Sequence, residues 1–348
     1  MTPEGVGMIA RLVTRWKQRP FSTSVRVLFA VVFLLVAMNR LVDEVGLLAF
    51  TARLDSLIEP ATSGPLTVAE WEFAFQDTTC SVSVPVSAEA VSRAEAIPTS
   101  AVFTSRGSIR RRYVRRLVGA LAQGEIVAGI VADLGSVRDR LALDDDEYLE
   151  LLVHAVQAIP YGTVDADIEL PAEMLAEGRG VCTEKTLLLG AMLVHEGYET
   201  VMWAFDSQHH VALGVAGDAA HFRGSRYVFI ETTATRYIGQ AESKYAGYAA
   251  HESSPAVIAL GGERAYGAAH EVEFLLAQLR RAEREQAFGS GYAEHADRAS
   301  GRWREEYARR AEQTVAATEI EQLIQSQVTD REGTFMALAY DGPVLARR

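Results

Sequence analysis

The stretch "GRGVCTEKTLLLGAMLVHEG", residues 178 to 197, is the part of the chain from which the rest is best interpreted. Its apolar residues predict a helix from about Cys182 to Glu196, and Gly197 is typical of a helix end. A thiol at a helix N-terminus meets unpaired backbone N–H groups and the positive end of the helix dipole, and both favour the thiolate. Cys182 is therefore a candidate nucleophile, although a free cysteine at a helix start is more often a packing residue.

Three strands are predicted after this helix, in the segments 199–204, 209–216 and 226–231. The third strand, "RYVFIE", is apolar in its middle and ends on Glu231. A carboxylate is unusual at the end of a core strand, but it can orient an imidazole ring.

The second of these strands contains a pair of histidines, and strand alternation separates their side chains. His210 shares one face with the small residues Ala212 and Gly214. This face should leave room for a neighbouring element or for a substrate. His209 is predicted to point to the opposite side, so His210 is the histidine that can reach a helix end.

Cys182, His210 and Glu231 follow one another along the chain, each at the end of an element, in the order of a catalytic triad. Together with the motifs "VQAIPYG", "HHVALGV" and "YVFIETTATRYIGQ", this order resembles the transglutaminase-like superfamily of papain-like cysteine enzymes. The resemblance covers roughly residues 146–240 and is strongest to the membrane-linked prokaryotic, notably archaeal, branch. It implies that Cys182 is the nucleophile, His210 the general base and Glu231 the acid, where many relatives have aspartate.

The resemblance also implies an α+β fold, in which the nucleophile lies at a helix N-terminus packed on an antiparallel sheet. The catalytic core is predicted to span residues 146–245. Residues 180–184 read Gly-Val-Cys-Thr-Glu, whereas the family pattern is Gly-Asp-Cys-Glu-Asp. Loss of two acids beside the thiol should favour the thiolate. Gln157 and Tyr161 are candidates for support of an oxyanion hole, with simple packing as the alternative.

The N-terminal 50 residues differ in character from the rest of the chain. Twelve unbroken apolar residues, "VLFAVVFLLVAM" at 27–38, follow five basic residues. We predict a basic cytoplasmic segment over residues 1–24 and an uncleaved membrane anchor over residues 25–48. The protein would then be a single-pass membrane protein with its catalytic domain outside the cytoplasm. A cleaved signal peptide and a buried soluble helix are the alternatives.

Two further regions flank the predicted core. Residues 53–145 are predicted to mix strands and helices, and Cys80, in an alternating strand, should be a buried and unpaired apolar residue. Residues 246–348 are predicted to form a charged helical C-terminal region, which could pack on the core or pair with another chain.

Composition narrows the possible functions. The 348-residue chain has a formal net charge of -12, which argues against nucleic-acid binding, and its two cysteines exclude a disulfide framework. The predicted activity is hydrolysis of an amide or peptide bond in a protein or peptide substrate, through a thioester. The alternative is a catalytically silent scaffold or binding module of the same fold. No cofactor is predicted, and no metal, because the histidine spacing matches no zinc pattern. The sequence leaves the oligomeric state open.

Overall fold

The computed structural model describes residues 23–60, 64–99, 107–163, 167–241, 244–245, 248–249, 254–289 and 302–341. The chain divides into two compact units, residues 1–50 and residues 51–348. The predicted cytoplasmic segment, residues 1–24, lies almost entirely outside the described residues. Helix α1, Thr23–Ile58, contains the apolar run of the predicted anchor.

The second unit is built mainly from helices and antiparallel strands. The first elements after α1 are β1 (Leu66–Phe75), β2 (Thr78–Ser87), α2 (Ala88–Glu95), α3 (Gly107–Leu121), α4 (Glu125–Leu141), α5 (Asp145–Gln157), α6 (Pro171–Glu177) and α7 (Cys182–His195). They are followed by β3 (Thr200–Phe205), β4 (His210–Ala216), β5 (Tyr227–Ile230), β6 (Lys244–Tyr245), β7 (Tyr248–Ala249), β8 (Ala256–Gly261), α8 (Ala269–Gly289), α9 (Arg302–Ser326) and α10 (Arg331–Met336). The predicted α+β class is confirmed at this level.

Within the described ranges, no single helix is long and apolar enough to cross a membrane. Helices α3 and α4, which meet at a bend of 59°, would reach that length and composition only as a pair.

A four-stranded antiparallel sheet with strand order β5-β4-β3-β8 forms the centre of the unit. Helix α7 packs on this sheet, and its Gly190 permits a close approach. A Cβ at Gly190 would lie 3.1 Å from the Leu260 side chain and 3.4 Å from that of Leu213. The predicted helix and its three following strands are therefore all present, and they bring Cys182 and His210 to the same end of the layer.

The fourth strand of this sheet was missed by sequence analysis. Strand β8 pairs with β3, from Ala204 opposite Ala256 to Thr200 opposite Gly261. It lies in the region 246–348 that was predicted to be helical, so the central sheet extends beyond the predicted core of residues 146–245. Helices α8 and α9 do follow β8, and they pack against each other through buried apolar side chains such as Leu279 and Ile320.

The hairpin of β1 and β2 confirms the predicted environment of Cys80. The Cys80 side chain is buried opposite Phe73, and both cysteines of the chain are free thiols. Burial raises the pKa of the Cys80 thiol, while Arg140 opposes this shift. Cys80 is therefore a protonated, structural cysteine at neutral pH.

Candidate active site

The start of helix α7 is fixed by Glu184, the third residue of the helix. One carboxylate oxygen of Glu184 accepts a hydrogen bond from the backbone N–H of Val181 at 2.8 Å, and the other accepts from that of Glu169 at 3.0 Å. This is a capping arrangement, in which an acidic side chain satisfies backbone donors at a helix N-terminus. It holds Cys182 in the first turn of the helix.

Cys182 is nearly buried, yet its thiol is activated. Its Sγ lies 3.9 Å from the backbone oxygen of His209 and 4.0 Å from the hydroxyl of Thr183. Burial alone would raise the pKa of the thiol. A hydrogen bond to His210, the charge of that imidazolium and the backbone N–H of Val211 outweigh burial, and the pKa of Cys182 is lowered.

His210 lies between the thiol and a buried carboxylate. Its Nε2 atom is 3.3 Å from Oε2 of Glu231, and Glu231 is fully buried. Burial opposes the charged imidazolium, but the contacts with Cys182 and with the Glu231 carboxylate dominate and raise the pKa of His210 to about 9. Because Nε2 faces Glu231, Nδ1 is the nitrogen left to face the thiol. Cys182, His210 and Glu231 thus form one connected row.

The carboxylate of Glu231 is held by its own loop. Its Oε1 atom accepts hydrogen bonds from the backbone N–H of Thr232 at 2.9 Å, the backbone N–H of Thr233 at 3.0 Å and the Thr233 hydroxyl at 2.6 Å. Burial would raise the pKa of Glu231, yet the contacts with His210 and Thr233 lower it to about 2. Glu231 is therefore an anion with one oxygen anchored and the other directed at His210.

Tyr161, a candidate for support of an oxyanion hole, lies close to the nucleophile. Its backbone forms an isolated bridge with Gly180, two residues before Cys182. Tyr161 is about half exposed, and partial burial of its phenol together with the charge of Cys182 raises the pKa of Tyr161. The hydroxyl therefore stays protonated at neutral pH and can donate a hydrogen bond next to the sulfur atom.

Gln157, the other predicted oxyanion donor, has a different role. Its Nε2 atom donates to the backbone oxygens of Glu231 at 2.8 Å and Arg236 at 3.1 Å, while its Oε1 accepts from the backbone N–H of Arg236 at 3.1 Å. Both amide protons are used, so Gln157 has none to offer to an oxyanion. These contacts favour the packing alternative for Gln157, because the residue anchors the loop that carries Glu231.

Lys185 is a residue of the site that sequence analysis missed. It lies one turn after Cys182 and is completely buried, and its Nζ donates to the backbone oxygens of Gln157 at 3.0 Å and Ile159 at 2.7 Å. Burial lowers the pKa of Lys185 to about 8, and the negative charge of Glu231 opposes this shift. Lys185 thus fixes the end of α5 that leads to Tyr161, and it places a cation opposite the Glu231 carboxylate.

The predicted strand around the two histidines begins one residue later than expected. His209 has a left-handed backbone with φ of 49° and follows a short 3₁₀ turn, so it precedes β4 instead of lying on it. The room predicted on the face of His210 for a neighbouring element or a substrate is taken by a neighbouring element. A Cβ at Gly214 would lie 2.6 Å from the ring of Trp203, which shows that the small residues accommodate an aromatic layer on the neighbouring strand.

A cleft of about 280 Å³ lies at the end of β3 and β4. Cys182 and His210 lie on its wall, and His209 contributes to its rim. Among the residues that the structure describes, there is no cluster of three or more histidine, cysteine, aspartate or glutamate side chains that could hold a metal ion.

Comparison of the chain with protein-family models, with curated proteins and with solved structures finds no match.

Proposed function

We propose that this protein is a cysteine acyl-transfer enzyme on a transglutaminase-like core, which hydrolyses an amide or peptide bond. One observation carries the proposal: His210 lies between Cys182, whose thiol pKa is lowered, and Glu231, whose carboxylate is buried and ionised. A buried row of three ionisable groups in this order is costly to maintain for packing alone, whereas nucleophilic catalysis requires it.

In the proposed reaction, the Cys182 thiolate attacks the amide carbonyl and a new C–S bond forms. The tetrahedral oxyanion is stabilised by the Tyr161 hydroxyl and by backbone N–H groups at the start of α7. As the C–N bond breaks, the His210 imidazolium gives its proton to the leaving amine. His210, now neutral, takes a proton from water, which attacks the thioester and releases the acid while Cys182 regains its thiolate.

Glu231 serves this cycle by orientation and charge. Its anchored carboxylate fixes the Nε2 side of the imidazole and stabilises the imidazolium form. Water is the proposed final acceptor. An amine acceptor would pass through the same thioester, so the triad itself is compatible with both outcomes.

The test is the pH dependence of alkylation by iodoacetamide, with each cysteine followed separately by peptide mass mapping. Cys182 should react readily at pH 6, because its pKa is lowered, whereas a free thiol has a pKa of about 8.5. Cys80 is the internal control, since burial raises its pKa and it should stay unlabelled in folded protein. Cys182→Ala should abolish the labelling at pH 6. Equal, slow labelling of both thiols at that pH would contradict the proposal.

We also propose that the chain is anchored in a membrane by residues 25–48, with the catalytic unit outside the cytoplasm. The support is the apolar run that follows five basic residues. Protease added to intact spheroplasts should then digest the region around His210. Digestion that occurs only after lysis would refute this topology without affecting the proposed chemistry.

A further inference from the structure

The floor of the cleft beside Cys182 is apolar, whereas the catalytic wall is polar. The floor is formed by Met202 and Ala204 of β3 and Ile258 of β8, and Val114 of α3 closes the side. Met202 lies opposite Ile258 in the pairing of these strands. A substrate group that enters the cleft next to the sulfur atom therefore meets hydrocarbon beneath it.

The charged residues at the mouth of the cleft are paired with each other. The two terminal guanidinium nitrogens of Arg110 donate to Asp206, Nη1 to Oδ1 at 2.7 Å and Nη2 to Oδ2 at 2.9 Å. Such a two-point pair is geometrically fixed and neutralises both charges. Among the residues that the structure describes at this mouth, a charged substrate side chain would find both charges already paired, and it would lose hydration on the apolar floor.

The cleft is small for a binding site. A volume of about 280 Å³ falls just below the range of roughly 300–1,000 Å³ that is usual for small-molecule sites. This space suits one side chain together with the reacting carbonyl. The smallest side chain of the floor is that of Ala204, which is 6% exposed and lies next to Phe205 at the end of β3.

We propose that the acyl group transferred to Cys182 comes from a residue with a medium-sized apolar side chain, such as leucine, isoleucine or methionine. Ala204 sets the upper size limit of that side chain. The inference rests on the proposed function, because it assumes that Cys182 is acylated. The acyl donor is thus predicted to be a peptide with an apolar side chain at the reacting residue. Acidic, basic and carboxamide side chains are predicted to be poor donors.

The experiment uses a panel of N-acetyl amino-acid acyloxymethyl ketones that differ only in their side chain. The Cys182 thiolate displaces the carboxylate of such a probe, so that a C–S bond forms and a C–O bond breaks, without any need to know the natural substrate. Leucine and methionine probes should inactivate the protein at least tenfold faster than glycine, aspartate, lysine or glutamine probes. A flat profile, or a preference for a charged or carboxamide side chain, would overturn the proposal.

Ala204→Leu tests the size limit. It should slow the leucine probe by about 10- to 100-fold and shift the preference towards alanine and glycine, because the added methyl groups fill the floor. Ala259→Leu is the matched control, since Ala259 is an exposed residue of β8 outside the cleft, and its profile should equal that of the wild type. An unchanged leucine preference in folded Ala204→Leu would refute the role of Ala204.

Alkylation of Cys182 by iodoacetamide at pH 6 separates this proposal from the proposed function. The small reagent does not need the floor, so the wild type should react with it at pH 6 whatever side chain the probe panel prefers. If iodoacetamide reacts but the panel shows no apolar preference, only the substrate inference fails. If iodoacetamide does not react at pH 6 in the wild type, the proposed function fails as well. The wild-type panel decides the substrate class even if Ala204→Leu does not fold.

Discussion

His210→Ala is expected to lower any amide hydrolysis by about 10³-fold or more, which is the scale of losing a general acid–base group. The variant loses the proton donor for the leaving amine and the cation that stabilises the thiolate. The rate of amide hydrolysis under saturating substrate is the first measurement, and circular dichroism shows whether the variant is folded.

The pH profile of thiol alkylation gives the same prediction a second readout. In the wild type, His210 has a pKa of about 9 and remains an imidazolium at pH 7, which keeps the pKa of Cys182 low. In His210→Ala, burial of Cys182 is no longer opposed by that charge, so the thiol pKa should rise. Alkylation at pH 6 should therefore fall sharply, and it should recover only as the pH is raised above the new pKa.

His209→Ala is the control for this variant. His209 lies next to His210 in the chain, but it precedes strand β4 in a left-handed turn and its side chain is exposed. It contributes its backbone oxygen near the Cys182 sulfur, and alanine keeps that oxygen. The control should retain most of the alkylation at pH 6. If His209→Ala loses as much alkylation at pH 6 as His210→Ala while both variants remain folded, the assignment of His210 as the base is wrong.

The sequence was sufficient for the elements that carry the triad. Helix α7 and strands β3 to β5 have continuous apolar patterns between clear end signals, so their order and approximate bounds could be predicted. Cys182 at the first helical position follows directly from those bounds, whereas Glu231 was expected as the last residue of the third strand and lies one residue beyond the end of β5. The error at His209 arose because a non-glycine residue with positive φ has no reliable sequence signal, so the strand start was placed one residue early.

Other features of the site depend on contacts between distant segments. Gln157 has the right residue type for an oxyanion donor, but its amide protons are used by the loop around Arg236, which a sequence pattern cannot show. Lys185 has the appearance of an exposed helix residue, yet α7 is buried on almost all sides. Strand β8 is short and is followed by the charged helices α8 and α9, so only its pairing with β3 reveals it.

Glu231→Gln is the second variant with a large expected effect, a loss of about 10²- to 10⁴-fold in turnover. Backbone donors hold Oε1 of Glu231, so Oε2 is the atom that faces His210 Nε2. In the variant, an NH₂ group would take that place and meet the Nε2–H of an imidazolium, which puts two donors in contact. The ring must then lose its Nε2 proton or rotate, and either change removes the oriented imidazolium.

Unfolding by urea at two pH values checks that Glu231 acts as an anion. The folded pKa of Glu231 is about 2, below its ordinary value of 4.5. A group with a lowered pKa adds stability above its unfolded pKa, and that stability is lost as the pH falls through the folded pKa. The wild type should therefore exceed Glu231→Gln in stability at pH 7, and the difference should shrink as the pH falls from 4.5 towards 2. A difference that does not change with pH over this range would mean that the lost interaction is not that of an ionised carboxylate.

Glu231→Asp tests whether His210 needs only a nearby negative charge or also the full length of the glutamate side chain. It keeps the carboxylate but withdraws it by one methylene from an imidazole that lies 3.3 Å away in the wild type. We expect it to keep more thiol reactivity at pH 6 than Glu231→Gln, because a nearby anion still favours the imidazolium. Its turnover should stay below that of the wild type, since the ring is less firmly oriented. If Glu231→Gln equals the wild type in turnover while it is folded, Glu231 is not part of the catalytic row, and Cys182 and His210 would have to act as a pair.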